Sequence, residues 1–178
     1  MIGMELVPGI QIRLLEKRHA REFFAFVEKG RANFEEWIPF VSKTKSLEQT
    51  EAKIGTFLEM FKNGTGYFWC LWEKKRIIGL ILIKDINEET KSAEIGYMID
   101  KDFEGQGLIR KSCELMIEYL FTDLGMSKIK LCCDEHNQRS IKVAEHFGFE
   151  LEGVLKQDMV INGKARNTMH WALFKNEE

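Results

Sequence analysis

The chain lacks the marks of several large functional classes. Its four cysteines are Cys70, Cys113, Cys132 and Cys133. No pair has zinc-ligand spacing and none forms Cys-x-x-Cys, so neither a metal site nor a disulfide framework is expected. Reduced thiols point to the cytoplasm. There is no basic excess: 26 Lys plus Arg face 28 Asp plus Glu, for a net charge of −2. That balance argues against direct nucleic-acid binding. No apolar run reaches the length of a membrane span, so no membrane partner is expected. The segment Met1-Ile2-Gly3-Met4-Glu5-Leu6-Val7-Pro8 lacks the basic start and apolar core of a signal peptide. No glycine loop ends in Gly-Lys-Ser/Thr, which excludes a P-loop.

The sequence does carry enough chain and enough apolar residues for one core. It has 178 residues, 44% hydrophobic and 30% charged, which suits a single domain over residues 1–178. Ile10, Ile12 and Leu14 alternate with Gln11 and Arg13 as a strand. Leu15 to Glu28 reads as a helix, and Pro39 is expected to end any helix within Asn33 to Phe40. Ser46-Leu47-Glu48-Gln49 resembles a capping box. It opens a helix whose apolar face is Ile54, Phe57, Leu58 and Phe61, closed by Asn63-Gly64. Tyr67 to Trp72, Ile77 to Ile83 and Ala93 to Ile99 read as three antiparallel strands. A helix from Gly107 shows Ile109, Cys113, Met116, Ile117, Leu120 and Leu124 at 3.6-residue period. Ile129 to Cys133 is a strand, Asn137 caps a helix to His146, and Asn162-Gly163 joins two long strands. The order is α+β with a mixed sheet.

The most informative stretch is Glu94-Ile95-Gly96-Tyr97-Met98-Ile99-Asp100-Lys101-Asp102-Phe103-Glu104-Gly105-Gln106-Gly107-Leu108-Ile109-Arg110-Lys111. It joins an apolar strand, a two-glycine loop and a long amphipathic helix. Glycines at a helix start let the backbone approach an anion, and the free N–H groups of the first turn point at it. A second helix start follows at Asn137.

These features resemble the GNAT superfamily of N-acetyltransferases over nearly the whole chain, Ile10 to Phe174. The loop Glu104-Gly105-Gln106-Gly107-Leu108-Ile109 carries one part of the likeness. The stretch Asn137-Gln138-Arg139-Ser140-Ile141-Lys142-Val143-Ala144-Glu145-His146-Phe147-Gly148-Phe149-Glu150-Leu151-Glu152-Gly153 carries the other. The latter is similar to the signature of the RimJ/RimL branch, and the former to the loop of its ribosomal-protein-serine acetyltransferases. The resemblance implies a mixed, mostly antiparallel sheet of six to seven strands with a splayed central pair and about four helices. It departs from the superfamily pattern at Glu104, where Gln or Arg is usual, and at Ile109, where Gly or Ala is usual.

The resemblance also implies site residues. Glu104, Gly105, Gln106, Gly107, Leu108 and Ile109 would cradle the pyrophosphate of acetyl-CoA. Tyr97, Met98 and Ile99 would pair with its pantetheine arm, with backbone near Met98 stabilising an oxyanion. Asn137 would contact pantetheine, and Ser140 would protonate the leaving thiolate; both also suit helix capping. Glu94 and Asp158 are the carboxylates open to the role of base. Cys133 reads as a core residue, with an acetyl-cysteine route the alternative. Trp37, Ile38, Pro39 and Phe40 could wall the acceptor cleft or pack in the core.

The implied reaction is direct acetyl transfer to an amine acceptor, foremost the N-terminal α-amine of a ribosomal protein. An α-amine has a pKa of about 7.7–8.0, so roughly a quarter is neutral near pH 7.4, against about one lysine in a thousand. Alternatives are a small amine, such as a polyamine, amino acid or antibiotic, and a non-catalytic acyl-CoA-binding module. The sequence leaves the oligomeric state open, a homo-oligomer included.

Overall fold

Short runs rich in β-branched and aromatic residues, separated by polar turns, build one sheet of eight strands. The computed structural model describes residues 3–176. In chain order the strands are β1 (Met4–Val7), β2 (Ile10–Leu14), β3 (Tyr67–Glu73), β4 (Arg76–Asn87), β5 (Ser92–Ile99), β6 (Lys128–Asp134), β7 (Glu150–Ile161) and β8 (Lys164–Phe174). The helices are α1 (Ala20–Phe34), α2 (Pro39–Lys43), α3 (Leu47–Lys62), α4 (Leu108–Glu118) and α5 (Gln138–His146). The sheet order is β1-β2-β3-β4-β5-β6-β8-β7. Every neighbouring pair is antiparallel except β5 with β6.

The α+β class and the mixed, mostly antiparallel sheet match the sequence reading. The counts need correction: eight strands and five helices stand among the described residues, against six to seven and about four. The added strand is β1, too short for alternation to show. It folds back on β2 through Gly9 (φ +84°), whose N–H donates to the Glu5 carboxylate at 2.8 Å. The added helix is α2. Pro39 begins it rather than ending one, since a first-turn position needs no N–H and favours the fixed φ of proline. The helix expected from Leu15 starts at Ala20. A separate 3₁₀ turn precedes it, held by the Glu16 N–H donating to His19 Nδ1 at 3.1 Å.

Ser46 caps α3 as expected, its hydroxyl accepting the Gln49 N–H at 3.2 Å. Gln49 reaches back to the N–H of Lys45 at 2.7 Å rather than to Ser46. Phe61 was expected on the buried face and is exposed instead, edge-on to Tyr67.

Alternation along the strands sends apolar side chains to both faces of the sheet, and each face is covered. On one side Trp69, Leu71, Ile81, Ile95, Leu131 and Trp171 pack with Leu108, Met116 and Leu120 of the α4 region and Ala144 of α5. On the other, Phe68, Cys70, Trp72, Leu80 and Met98 pack with Phe23, Phe26 and Val27 of α1 and Ile54 and Phe57 of α3. Ile81 sits on β4 with no exposed surface. Ile81→Ala is expected to cost about 2–5 kcal/mol, measured as a lower urea midpoint with an unchanged slope.

Candidate active site

β5 and β6 pair only at Ser92–Lys128, Ala93–Ile129 and Glu94–Lys130. Beyond that point the two strands diverge, and a cavity of about 1180 Å³ opens between them. Sites for one drug-sized ligand hold about 300–1,000 Å³, so this cavity has room for two substrates. The splayed pair expected from the sequence is present.

The two-glycine loop forms one rim. Glu104 (φ −64°, ψ 153°) and Gly105 (φ +75°) have the angles of a type II turn, which needs glycine at its third position. Gly107 (φ +76°) is the left-handed residue before α4. A Cβ on either glycine would meet open space, so the backbone is bare towards the cavity. The N–H groups of Gly107 and of the first α4 turn, Leu108 to Arg110, find no acceptor among the described residues. Such a bare, donor-rich helix start suits a pyrophosphate. Glu104, the atypical residue, is bound to Arg139 of α5. Its charge is thereby offset, and Arg139 adds a cation to the rim. Sequence reasoning missed Arg139; the i, i+35 pairing leaves no local pattern.

The second helix start forms the opposite rim. Asn137 caps α5, its side-chain oxygen accepting the Ser140 N–H at 3.2 Å. This fixes Ser140 in the first turn, at the cavity. The Tyr97 phenol is buried on the same side, near Ser140, and its hydroxyl has no hydrogen-bond partner among the described residues. Burial pushes that phenol up, so it stays protonated. Tyr97 and Cys133 share this side of the sheet with α4 and α5. Burial pushes the Cys133 thiol up to about 11, which leaves it protonated and a poor nucleophile.

The other side of the gap gathers Glu94, Cys132, His170 and Asp158. Glu94 is ion-paired to Lys84 at 2.8 Å. Cys132 sits between Glu94 and His170, its sulfur 3.4 Å from His170 Nδ1. Burial, then the Glu94 charge, pushes this thiol up to about 12. Asp158 arrives by way of a bulge in β7 between Leu155 and Met159. Within it Gln157 adopts φ +54°, and its N–H donates to the Asn167 side chain at 3.0 Å. Bulges of this kind re-aim side chains, and here Asp158 Oδ2 comes to 3.3 Å from His170 Nε2. Trp37, Ile38, Pro39 and Phe40 line this part of the cavity. Arg166 lies over the Trp37 ring at 5.9 Å and donates to buried Asp134 at 2.6 Å. His170, Asp134 and Arg166 were not singled out from the sequence.

Among the described residues no cluster of His, Cys, Asp and Glu could hold a metal ion. Residues 10–150 match the family model described as Acetyltransferase (GNAT) domain. The chain belongs to the GNAT acetyltransferases. YdaF of Bacillus subtilis, to which ribosomal N-acetyltransferase activity is attributed, is 28% identical over 178 residues, 99% of this chain and 97% of that one. A spermidine N(1)-acetyltransferase of Escherichia coli is 31% identical over 99 residues, 56% of this chain and 53% of that one. The solved structure of RimL, a ribosomal L7/L12 α-N-protein acetyltransferase in complex with coenzyme A, superposes with a TM-score of 0.90 at 22% identity, covering 97% of both chains. The likeness to the RimJ/RimL branch and the GNAT fold both hold, and the chain is an N-acetyltransferase.

Two outcomes follow from the site's geometry. Gly107→Ala forces a left-handed alanine, at about 1–2 kcal/mol, beside the bare amides. Coenzyme A affinity is expected to fall about tenfold, read by calorimetry, with the fold retained. For Asp134, burial opposes the charge, but Arg166 and the His136 N–H outweigh it and hold the carboxyl below its ordinary range. Its stabilisation is therefore complete above the ordinary Asp pKa of about 3.9 and is lost as pH falls through the lower folded-state value. Asp134→Asn is expected to flatten that acid limb in denaturation midpoints measured across pH.

Proposed function

We propose that this GNAT enzyme transfers acetyl from acetyl-CoA directly to the N-terminal α-amine of a protein, a ribosomal protein foremost. The carrying observation is the two-sided gap between β5 and β6. The α4–α5 side presents bare amides at Gly107 to Arg110, the Arg139 cation, the Ser140 hydroxyl and the buried, unpartnered Tyr97 phenol. The α1–α3 side presents the aromatic wall of Trp37 and Phe40 and the carboxylates of Glu94 and Asp158. A thioester held from the first side would expose its carbonyl to an amine entering from the second. The names of YdaF and RimL support a ribosomal acceptor.

The same reading assigns a role to each residue. Gly105, Gln106, Gly107, Leu108 and Ile109 receive the pyrophosphate through their backbone. Tyr97, Met98 and Ile99 offer the unpaired edge of β5 to the pantetheine arm, and the backbone near Met98 faces the developing oxyanion. Ser140, capped by Asn137 and backed by the protonated Tyr97 phenol, returns a proton to the departing thiolate. Of the two carboxylates, Glu94 is already tied to Lys84, so the proton leaving the amine passes to the Asp158 side. An α-amine asks little of that base, being partly neutral near physiological pH. A chain with reduced thiols and this reaction belongs in the cytoplasm.

A second acceptor class has one observation in its favour, the match to a spermidine acetyltransferase over part of the chain. Coenzyme A release from acetyl-CoA, followed with peptides bearing free N-termini and with spermidine, separates the two. Peptides are expected to give the higher kcat/KM; a preference for spermidine would reverse the assignment. Ser140→Ala is expected to lower kcat by about a hundredfold with acetyl-CoA binding retained. Tight coenzyme binding without turnover of any amine would indicate a binding module instead.

A further inference from the structure

Three carboxylates face the gap from the sheet, and their partners differ in kind. Glu94 is paired with Lys84 and Asp134 with Arg166, both permanent cations near neutral pH. Asp158 alone is paired with an imidazole, that of His170. A β-bulge with a left-handed residue is spent on bringing these two groups together, and Asn167 holds it from the neighbouring strand. Imidazole is the side chain suited to taking and releasing a proton at physiological pH.

We propose that His170 is the catalytic residue that accepts the proton of the acceptor amine, with Asp158 as its positioning residue; this rests on, and deepens, the two-sided reading of the gap. Asp158 Oδ2 lies 3.3 Å from Nε2, so Nε2 carries the hydrogen and Nδ1 holds the free lone pair. Opposite Nδ1 is the Cys132 sulfur at 3.4 Å. A thiol is a weak hydrogen-bonding group, so an entering amine can displace this contact and reach the lone pair. The charged and titratable groups around His170 are then Asp158 from β7, Cys132 from β6, and beyond Cys132 the Glu94–Lys84 pair of β5 and β4 with Lys130 of β6.

In the reaction the amine nitrogen forms a bond to the thioester carbon and the C–S bond breaks. The proton lost from the amine goes to His170 Nδ1, and the thiolate gains one on the opposite side of the sheet. The resulting imidazolium is stabilised by the Asp158 carboxylate, the same division of labour as in a His–Asp pair of a hydrolase. Asp158 then need not enter the acceptor space itself. The arrangement also keeps the acid and the base on opposite sides of the sheet, where they do not neutralise each other.

The experiment compares wild type, His170→Gln, His170→Ala and Asp158→Asn as full chains. The acceptors are a peptide with a free N-terminal serine and, in parallel, spermidine, at saturating acetyl-CoA across pH. His170→Gln is expected to lose about a hundredfold or more in kcat, to lose the acid limb of the pH profile, and to bind coenzyme A as wild type does. Added imidazole should restore part of the His170→Ala rate. Asp158→Asn should lower kcat and keep an acid limb. If Asp158→Asn abolishes the limb while His170→Gln retains it, the carboxylate is the base and the proposal falls. Nitrogen-15 ring spectroscopy gives a readout independent of turnover, with His170→Gln assigning the signal among the four histidines. A protonated Nε2 with a bare Nδ1 is expected; a protonated Nδ1 with a bare Nε2 overturns the proposal. Absence of turnover with either acceptor in wild type would instead count against the acceptor assignment, with the ring tautomer still deciding the role of His170.

Discussion

The structure depends on β5 and β6 being held apart. Two adjacent parallel strands would normally continue their ladder, since unpaired backbone groups inside a sheet are costly. Here each strand is claimed by its outer neighbour. β4 holds β5 along its length to the Gly79–Ile99 pair. β8 holds all seven residues of β6, from Lys128–Phe174 to Asp134–Thr168. At the far end of β6, Asp134 is further fixed by Arg166 and by the His136 N–H, donated at 2.8 Å. The gap is therefore a property of the framework rather than of any loop.

Two helix starts become useful because of that gap. α4 follows β5 and α5 follows β6, both on one side of the sheet, so their first turns reach the opening from opposite rims. Free N–H groups and helix dipoles converge there, and the Glu104–Arg139 contact joins the rims. This contact also explains how the loop tolerates an acidic residue at a position where Gln or Arg is usual. The rim offers free backbone amides and a cation from the other helix, so the identity of the Glu104 side chain matters less than its partner.

The strand period divides the chemistry. Adjacent residues on β6 point to opposite faces, so Cys133 joins the α4–α5 side while Cys132 faces His170 on the other. Both thiols are held protonated by burial, which favours direct transfer over an acetyl-cysteine intermediate. The same alternation on β8 puts Trp171 into the core beneath α4 and His170 into the gap. Ser140 and His170 thus stand on opposite sides of the sheet.

The sequence by itself determined the local elements and the two-glycine loop. The Ser46 cap, the Asn162-Gly163 turn and the glycine-bearing start of α4 are short-range signals that folded as read, and apolar periodicity located the helices and strands while misplacing Phe61 and the start of α1. It misjudged Pro39, whose effect depends on whether a helix is ending or beginning, and passed over β1, whose four residues are too few to show a period. Only the tertiary structure decided which side chains meet on the far side of the gap. Glu94 was visible as a carboxylate but not as one bound to Lys84, and Asp158 was visible but not its bulge. His170, Arg139 and the Asp134–Arg166 pair have partners distant in the chain, and no spacing rule links them. Their contacts arise from strand register and a splayed ladder, which fix who meets whom only once the sheet has formed.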